Sequence, residues 1–401
     1  MKNSRRALLA TIAAGSVAWG VPALAQEPIK IGDVNSYKNQ PAHMEHYRRG
    51  LDLAIEEINA KGGVIGRKLS VVIRDDNGNP GDAVRAAEEL VSRERVDVLS
   101  GSFLSNVALA VGDFSKQRKV FFLATMSLSD RMIWQNGNRY SFRLRPGTYT
   151  QTAMLVAEAA KLKKKRWALV YPNYEFGQSA AATFKQMLKA VQPDVEFVAE
   201  QAPPLGKLDA GSVVQALDDA KPDAIFNVLF SADLIKFVRA ANQRGLFNGR
   251  EVVSLVTGEP ENLEPLKEDT PSGWIVTGYP WHSVKTPEHE QFLKAYQARF
   301  KDHPRVASVM AYVTIHSIAE GIRRAGTTET EKLVTAFHGL QVPTPFGRIT
   351  YRSEDNQSTL GAFVGRTKND NGRGVMVDSA YLNGADFQPP LADVKKWRAV
   401  D

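Results

Sequence analysis

The chain of 401 residues contains no cysteine, and this absence excludes several kinds of protein. A disulfide framework, a thiolate metal site and a lipid anchor on an N-terminal cysteine all require a thiol group. Past the first residues, the chain also lacks any apolar run long enough to cross a membrane as a helix. With 43% apolar and 24% charged residues, we expect a soluble protein with two domains that bury substantial cores.

The excess of positive charge is small. The formal net charge of +7 includes Lys2, Arg5 and Arg6, so it falls by three if the N-terminal segment is removed. So mild an excess does not indicate a nucleic-acid partner, because surfaces that bind nucleic acid carry many clustered basic side chains.

The sequence patterns that indicate enzymes are missing as well. The chain has no Gly-x-Ser-x-Gly elbow, no Walker loop and no dinucleotide fingerprint. His43 and His46 lie close together, but no third metal ligand accompanies them, and we interpret them as part of a loop-to-helix surface. We therefore expect a protein that is not an enzyme and that uses no metal and no cofactor.

Residues 1–25 have the order of a secretory signal peptide. Basic residues precede an alanine-rich apolar run, and an Ala-Leu-Ala sequence ending at Ala25 supplies the cleavage site. The pair Arg5 and Arg6 leaves both the general secretory and the twin-arginine routes open. We predict that the mature protein begins at Gln26 and lies in the periplasm.

The stretch 96–129 predicts two buried strands joined by a helix. The strands are 96–100 and 120–123, Ser105 stands at the expected N-cap of the helix, and the hydroxyl-rich segment 125–127 follows the second strand. This arrangement places both loops at the carboxyl edge of a parallel sheet, where open α/β folds hold ligands and helix N-termini favour a carboxylate. An ordinary βαβ unit without a ligand fits the stretch equally well.

The same alternation of strands and helices runs through most of the chain. It begins at residue 29 and is repeated in outline from residue 151 to residue 256. Repeated strand–helix alternation indicates an α/β protein built on doubly wound parallel sheets. An aromatic and proline-containing segment at 278–281 then suits a crossing between two lobes.

Six motifs carry a resemblance to a known family. They are Ile29-Lys30-Ile31-Gly32, the segment 50–69 with its Asn-Ala-Lys-Gly-Gly helix end, Asp75-Asp76 with Pro80, Phe142-Arg143, Tyr174-Glu175-Phe176-Gly177 and Arg244-Gly245-Leu246. In these motifs the chain resembles the periplasmic solute-binding proteins of the leucine/isoleucine/valine-binding type, which are the receptors of ABC importers. The resemblance covers residues 27–366.

The resemblance implies a type I periplasmic binding protein, with two doubly wound lobes joined by a three-segment hinge. We expect lobe 1 to comprise 27–145 and 283–360, and lobe 2 to comprise 148–280 and 365–401. The lobes would close on a small-molecule ligand around a hinge that includes residues 279–281. The implied partners are an inner-membrane ABC permease and its cytoplasmic ATPase, and we expect a monomer.

The resemblance also implies which residues contact the ligand. In the family, a serine and a loop threonine of the first lobe hold the ligand carboxylate, and acids and tyrosines of the second lobe surround its ammonium. Here Thr148 stands at the aspartate position, Phe176 and Phe230 replace tyrosines, and Glu259 is the acid near the glutamate position. The complete set of candidates is Tyr37, Ser105, Thr125, Ser127, Thr148, Tyr149, Phe176, Phe230 and Glu259.

These departures from the family pattern change the expected ligand. Thr148, Phe176 and Phe230 cannot neutralise a buried ammonium, whereas the groups that hold a carboxylate are retained. We therefore expect a small carboxylate with an apolar or aromatic body, with a branched-chain amino acid as the alternative. Two other functions stay open, a periplasmic sensor for a signalling system and a secreted α/β enzyme.

Overall fold

The computed structural model of the protein describes residues 27–398. The predicted signal peptide and its cleavage site lie outside this range. Within it, none of the helices combines the length and the apolar character that a membrane crossing requires.

The first sheet is five-stranded, and all its strands are parallel. Along the chain the strands are β1 (Ile29–Asn35), β2 (Leu69–Asp75), β3 (Val98–Gly101), β4 (Phe122–Ala124) and β5 (Ser141–Arg143). Their order across the sheet is β2-β1-β3-β4-β5. The helices between them are α1 (Pro41–Ala60), α2 (Pro80–Ser92) and α3 (Ser105–Arg118). The sequence predicted β3 at 96–100 and β4 at 120–123, and both predictions agree with the observed strand limits to within two residues.

The second sheet is seven-stranded and mixed. Its five parallel strands are β6 (Arg166–Val170), β7 (Glu196–Gln201), β8 (Ala224–Asn227), β9 (Glu251–Gly258) and β10 (Ile275–Gly278). The helices that precede or connect them are α4 (Thr148–Ala159), α5 (Glu175–Val191), α6 (Ala210–Asp219), α7 (Ser231–Arg244) and α8 (Pro260–Leu263).

After β10 the chain returns to the side of the first sheet, and it then crosses to the second sheet again. The returning elements are α9 (Pro287–Phe300), α10 (Val306–Ala325), α11 (Thr330–Phe337) and the antiparallel pair β11 (Gln341–Thr344) and β12 (Gly347–Thr350). The hairpin β13 (Ala362–Asp370) and β14 (Arg373–Leu382) then completes the second sheet in the order β14-β13-β10-β9-β8-β6-β7. The helix α12 (Leu391–Trp397) follows.

The packing of α10 on α1 joins the returning segment to the first sheet. Most side chains of α10 are buried, as expected for a helix that is apolar on nearly all sides. Gly50 of α1 makes the close approach possible, because a Cβ atom there would lie 2.1 Å from the backbone oxygen of Ser308. We call the five-stranded sheet with α1–α3 and α9–α11 the first lobe, and the seven-stranded sheet with α4–α8 the second lobe.

The predicted α/β fold with two doubly wound lobes and three crossings is therefore confirmed. The exact lobe limits remain a prediction. The helix α12 lies in the segment assigned to lobe 2, but it packs Trp397 on Trp134, with the ring centroids 5.0 Å apart.

The interpretation of His43 and His46 as a surface is wrong. Both side chains are buried in the first turns of α1. Phe103 covers His43 at a centroid distance of 4.9 Å, and the Tyr296 hydroxyl lies 3.4 Å from Nδ1 of His46. These covering residues are distant in sequence, so helix periodicity alone did not indicate the burial.

Candidate functional site

A cavity lies between the two lobes at the carboxyl ends of their parallel strands. The first lobe lines it with His43, Phe103, Ser105, Met126 and Leu128, and the second lobe with Tyr174, Phe176, Phe230, Val256, Glu259 and Asn262. Arg145, on the first crossing between the lobes, completes the lining. The empty space, including the part open to solvent, is about 330 Å³.

Helix N-termini surround the cavity. His43 and Ser105 lie in the first turns of α1 and α3, Phe176 lies in the first turn of α5, and Phe230 is the N-cap residue of α7. The first N–H groups of a helix have no acceptor within the helix, and the helix dipole is positive at this end. The four termini therefore favour a negatively charged ligand group in the cavity.

Ser105 is held in place by the loop that follows β4. Its hydroxyl oxygen accepts the backbone N–H groups of Leu128 at 3.2 Å and Ser129 at 3.1 Å. The oxygen is thereby occupied, and within residues 27–398 the hydroxyl hydrogen has no acceptor. Ser105 was predicted to be the N-cap of α3, but the N-cap is Leu104 and Ser105 is the first helical residue. Its hydroxyl is free to donate a hydrogen bond into the cavity.

Aromatic rings from both lobes form the apolar walls. Phe103 of the first lobe lies 6.1 Å from Phe230 of the second, and Phe176 lies 5.9 Å from Phe230 in an edge-to-face arrangement. Tyr174 is 6.1 Å from Phe176, and burial raises the pKa of its hydroxyl above its usual value. Such walls favour an aromatic or apolar ligand body through contact area and ring geometry.

The charged groups of the cavity pair with each other. The Arg145 guanidinium donates to the Glu259 carboxylate, and both side chains are buried. Burial lowers the pKa of Arg145 to about 10, so it remains protonated at neutral pH. Burial, together with the nearby charge of Arg145, lowers the pKa of His43 to about 3, and His43 is therefore neutral. The lining thus carries one positive and one negative charge, and each offsets the other.

Four of the residues predicted from the sequence line the cavity. They are Ser105, Phe176, Phe230 and Glu259. The remaining five do not line it in this structure, and each has partners elsewhere.

Three of these five residues belong to the first lobe, and their hydroxyl groups contact other side chains of that lobe. Thr125 Oγ1 lies 3.0 Å from Thr314 Oγ1 on α10, and Ser127 Oγ lies 3.7 Å from the sulfur of Met132. Tyr37 donates to Asp33 Oδ1 at 2.8 Å.

The other two lie at the start of α4. Thr148 Oγ1 donates to Asp130 Oδ2 at 2.6 Å. The ring of Tyr149 packs edge-on against Trp134, with the ring centroids 5.6 Å apart, in a groove separate from the cavity.

Sequence reasoning missed His43, Phe103, Arg145, Tyr174 and Asn262, all of which line the cavity. Tyr174 was quoted only as part of a motif, although it lies two residues before Phe176, one of the predicted contacts. Arg145 lies two residues after Arg143, which is also buried and binds Asp130 at 2.7 Å. The spacing of the two arginines did not indicate which one faces the cavity.

A family model described as periplasmic binding protein matches residues 28–373. The chain belongs to the periplasmic binding protein family. This result confirms the family predicted from the sequence. The family consists of solute-binding proteins that act in the periplasm. Within residues 27–398 of this periplasmic binding protein, no three His, Cys, Asp or Glu side chains converge in a metal-binding arrangement.

Curated and solved relatives agree with this family. The periplasmic binding protein is 26% identical over 379 residues to Leu/Ile/Val-binding protein homolog 7 of Brucella melitensis biotype 1, covering 89% of this chain and 93% of that protein. A solute binding protein of an ABC transporter from Rhodopseudomonas palustris BisB5, solved with 3,4-dihydroxybenzoic acid, has a TM-score of 0.81 and 22% identity, covering 89% of this chain and 98% of that chain.

An amino acid ABC transporter substrate-binding protein from Pseudomonas fluorescens Pf-5 has nearly the same similarity. Its TM-score is 0.79 and its identity 21%, and the match covers 92% of this chain and 99% of that chain. Because the two solved proteins are about equally similar in fold, fold similarity does not indicate the class of ligand. For this periplasmic binding protein, the class of ligand has to be inferred from the residues that line the cavity.

Proposed function

We propose that the protein is the extracytoplasmic receptor of an ABC importer and that it binds a small carboxylate with an aromatic or apolar body. The observation that carries the proposal is the ring of four helix N-termini around an aromatic-walled cavity in which Glu259 is already paired. The positive helix ends and the Ser105 hydroxyl favour an anion. An unpaired carboxylate for a ligand ammonium is missing from the residues that line this cavity.

The relatives support both parts of the proposal. The similar protein from Rhodopseudomonas palustris BisB5 is an ABC transporter component solved with an aromatic carboxylate. The curated Brucella relative is named for leucine, isoleucine and valine, and these amino acids are the second candidate ligands. The cavity favours the aromatic carboxylate because three phenylalanines take part in its walls and an ammonium would lie among positive helix ends.

The remaining parts of the proposal concern the protein's working cycle. The chain is exported through a cleavable signal peptide and acts as a monomer. Its two lobes close on the ligand around a hinge that includes 279–281, and the closed form docks on a membrane permease that is driven by a cytoplasmic ATPase. The protein releases its ligand chemically unchanged, as a receptor and not as an enzyme. Closure increases affinity because both lobes then contribute contacts to the same ligand.

The test is a binding panel measured by isothermal titration calorimetry on the mature protein. The panel contains benzoate, 4-hydroxybenzoate, 3-phenylpropionate, leucine and valine, and bound ligand is recovered and identified by mass spectrometry. We expect an aromatic carboxylate to bind most tightly and to be recovered intact. Ser105→Ala should weaken its binding by about tenfold or more, because a hydrogen bond to a charged group is lost.

Exposed Ser353 supplies the matched control for Ser105. Ser353→Ala should leave the affinity unchanged. Tightest binding of leucine or valine would contradict the proposed ligand class, and recovery of a chemically altered ligand would contradict the receptor role.

A further inference from the structure

We propose that Arg145 determines the charge specificity of the cavity by occupying the position beside Glu259 that the ammonium group of an amino acid would need. In this way Arg145 excludes α-amino acids and admits the corresponding carboxylates that lack the amino group. The inference rests on the proposed function, because it concerns the ligand class of the same cavity.

The position of Arg145 is fixed by the protein. Arg145 lies on the crossing between β5 and α4, and its backbone oxygen accepts the side-chain amide of Gln357 at 3.1 Å. Only 6% of the residue is exposed. The guanidinium lines the cavity and donates to Glu259 without help from a ligand.

Glu259 has few partners apart from Arg145. Within residues 27–398 its carboxylate accepts from Arg145 and, at 3.4 Å, from the side-chain amide of Asn262. An ammonium that entered the cavity would have to displace the guanidinium from Glu259. Arg145 would then lose its paired carboxylate inside the protein, and breaking a buried ion pair is costly because the charge left behind has already lost its hydration.

The other titratable groups near Arg145 do not change this balance. The negative charge of Glu261 raises the pKa of Arg145, against the larger effect of burial. The oxygens of Glu261, however, already accept the backbone N–H groups of Val306 at 3.3 Å and Ala307 at 2.8 Å. His43 is neutral. A second cation therefore finds no available counter-charge, whereas an anion meets Arg145 and the positive helix ends.

The experiment compares ligands that differ only in the amino group. These are 3-phenylpropionate against L-phenylalanine, and 4-methylpentanoate against L-leucine, titrated into the wild type, Arg145→Gln, Arg145→Lys and the double variant Arg145→Gln/Glu259→Gln. Thermal unfolding shows whether each variant is folded. We expect the wild type to bind the carboxylates and to discriminate against both amino acids by at least a hundredfold.

Arg145→Gln should release Glu259 and raise the affinity for the amino acids at least tenfold, while it lowers the affinity for the carboxylates. Arg145→Lys keeps the positive charge and should keep the discrimination. The double variant removes the released acid and should lose the gain. A folded Arg145→Gln protein that gains no amino-acid binding would overturn the inference while the proposed function stands. Equal binding of both ligand types by the wild type would instead contradict the proposed ligand class.

Glu259→Gln keeps the test decisive if Arg145→Gln does not fold. This variant frees the guanidinium, so it should bind 3-phenylpropionate several-fold more tightly and still reject L-phenylalanine. A folded Glu259→Gln protein that binds 3-phenylpropionate ten times more weakly would overturn the inference, since Arg145 would then need Glu259 in order to serve the ligand at all.

Discussion

The carboxylate of Glu261 in the second lobe accepts the backbone N–H of Ala307 in the first lobe at 2.8 Å. It also accepts the N–H of Val306, so one buried side chain satisfies the first turn of α10 across the junction of the lobes. We expect Glu261→Ala to lower the free energy of unfolding by about 1–3 kcal/mol, because buried N–H groups lose their acceptor. Glu261→Gln, which retains an acceptor oxygen, should cost less.

Urea denaturation followed by circular dichroism measures these differences. Exposed Glu288, in the first turn of α9, supplies the control. Glu288→Ala should change the free energy of unfolding very little. If Glu261→Ala changed it equally little, the capping role of Glu261 would be contradicted.

Asp33 makes stability depend on pH. This fully buried carboxylate accepts the hydroxyls of Tyr37 at 2.8 Å, Tyr47 at 2.9 Å and Ser100 at 2.9 Å. Burial raises its pKa from 3.8 to about 6, although the hydrogen bonds act in the opposite direction. The folded state therefore binds the proton more tightly than the unfolded state does. Stability from this group is complete below about pH 4 and is lost as the pH rises towards 6.

A pKa shift of this size changes the free energy of unfolding by about 3 kcal/mol between a pH well below 4 and a pH well above 6. Asp33→Asn should remove that part of the pH dependence, as measured by urea unfolding at several pH values between 4 and 7. Exposed Asp113→Asn is the control and should leave the profile as in the wild type. If the Asp33→Asn and wild-type profiles run parallel, the carboxyl group does not titrate in this range.

Gly50 lies where α1 meets α10. An added Cβ would lie 2.1 Å from the Ser308 backbone oxygen, so Gly50→Ala has to push the two helices apart. We expect a loss of about 1–3 kcal/mol from overpacking, despite the better helix propensity of alanine.

Gly112 in α3 is the matched control for Gly50. A Cβ there meets Ser141 Oγ at an ordinary 3.5 Å, and Gly112→Ala should be neutral or stabilising by up to about 1 kcal/mol. Midpoints of thermal unfolding separate the two variants. If the Gly50→Ala protein were as stable as Gly112→Ala, α10 would be able to move away from α1 without a loss of stability.

Glu175 connects the lobes at the edge of the cleft. Its carboxylate accepts from Ser129 at 2.6 Å and from Arg131 at 2.9 Å, and both of these residues belong to the first lobe. Glu175→Ala should favour the open form and weaken ligand binding by up to about fivefold, because Arg131 is half exposed and exposed ion pairs contribute at most about 1 kcal/mol.

Titration calorimetry with 3-phenylpropionate and small-angle scattering of the free protein measure the two effects. Glu158 pairs with Lys161 at 2.5 Å within the second lobe, so Glu158→Ala provides the control and should change neither quantity. If Glu175→Ala leaves both affinity and scattering unaltered, this contact does not stabilise the closed form.

The sequence allowed the fold to be predicted because strand and helix periodicities are local properties. The candidate site was harder, since the direction of each side chain depends on partners elsewhere in the chain. Thr125 follows β4 as predicted, but Thr314 on α10 draws its hydroxyl away from the cavity. Arg145 and Arg143 are alike in sequence, and only their tertiary partners Glu259 and Asp130 distinguish them.

The late position of α10 in the chain has a consequence for the order of synthesis. The strands of the first sheet are complete at Arg143, but the helix that covers α1 begins only at Val306. A growing chain that has not reached α10 therefore leaves the apolar side of α1 uncovered, and exposed apolar surface of this kind promotes aggregation. Neither lobe is a contiguous piece of chain, so neither core can be completed until nearly all of the chain has been translated.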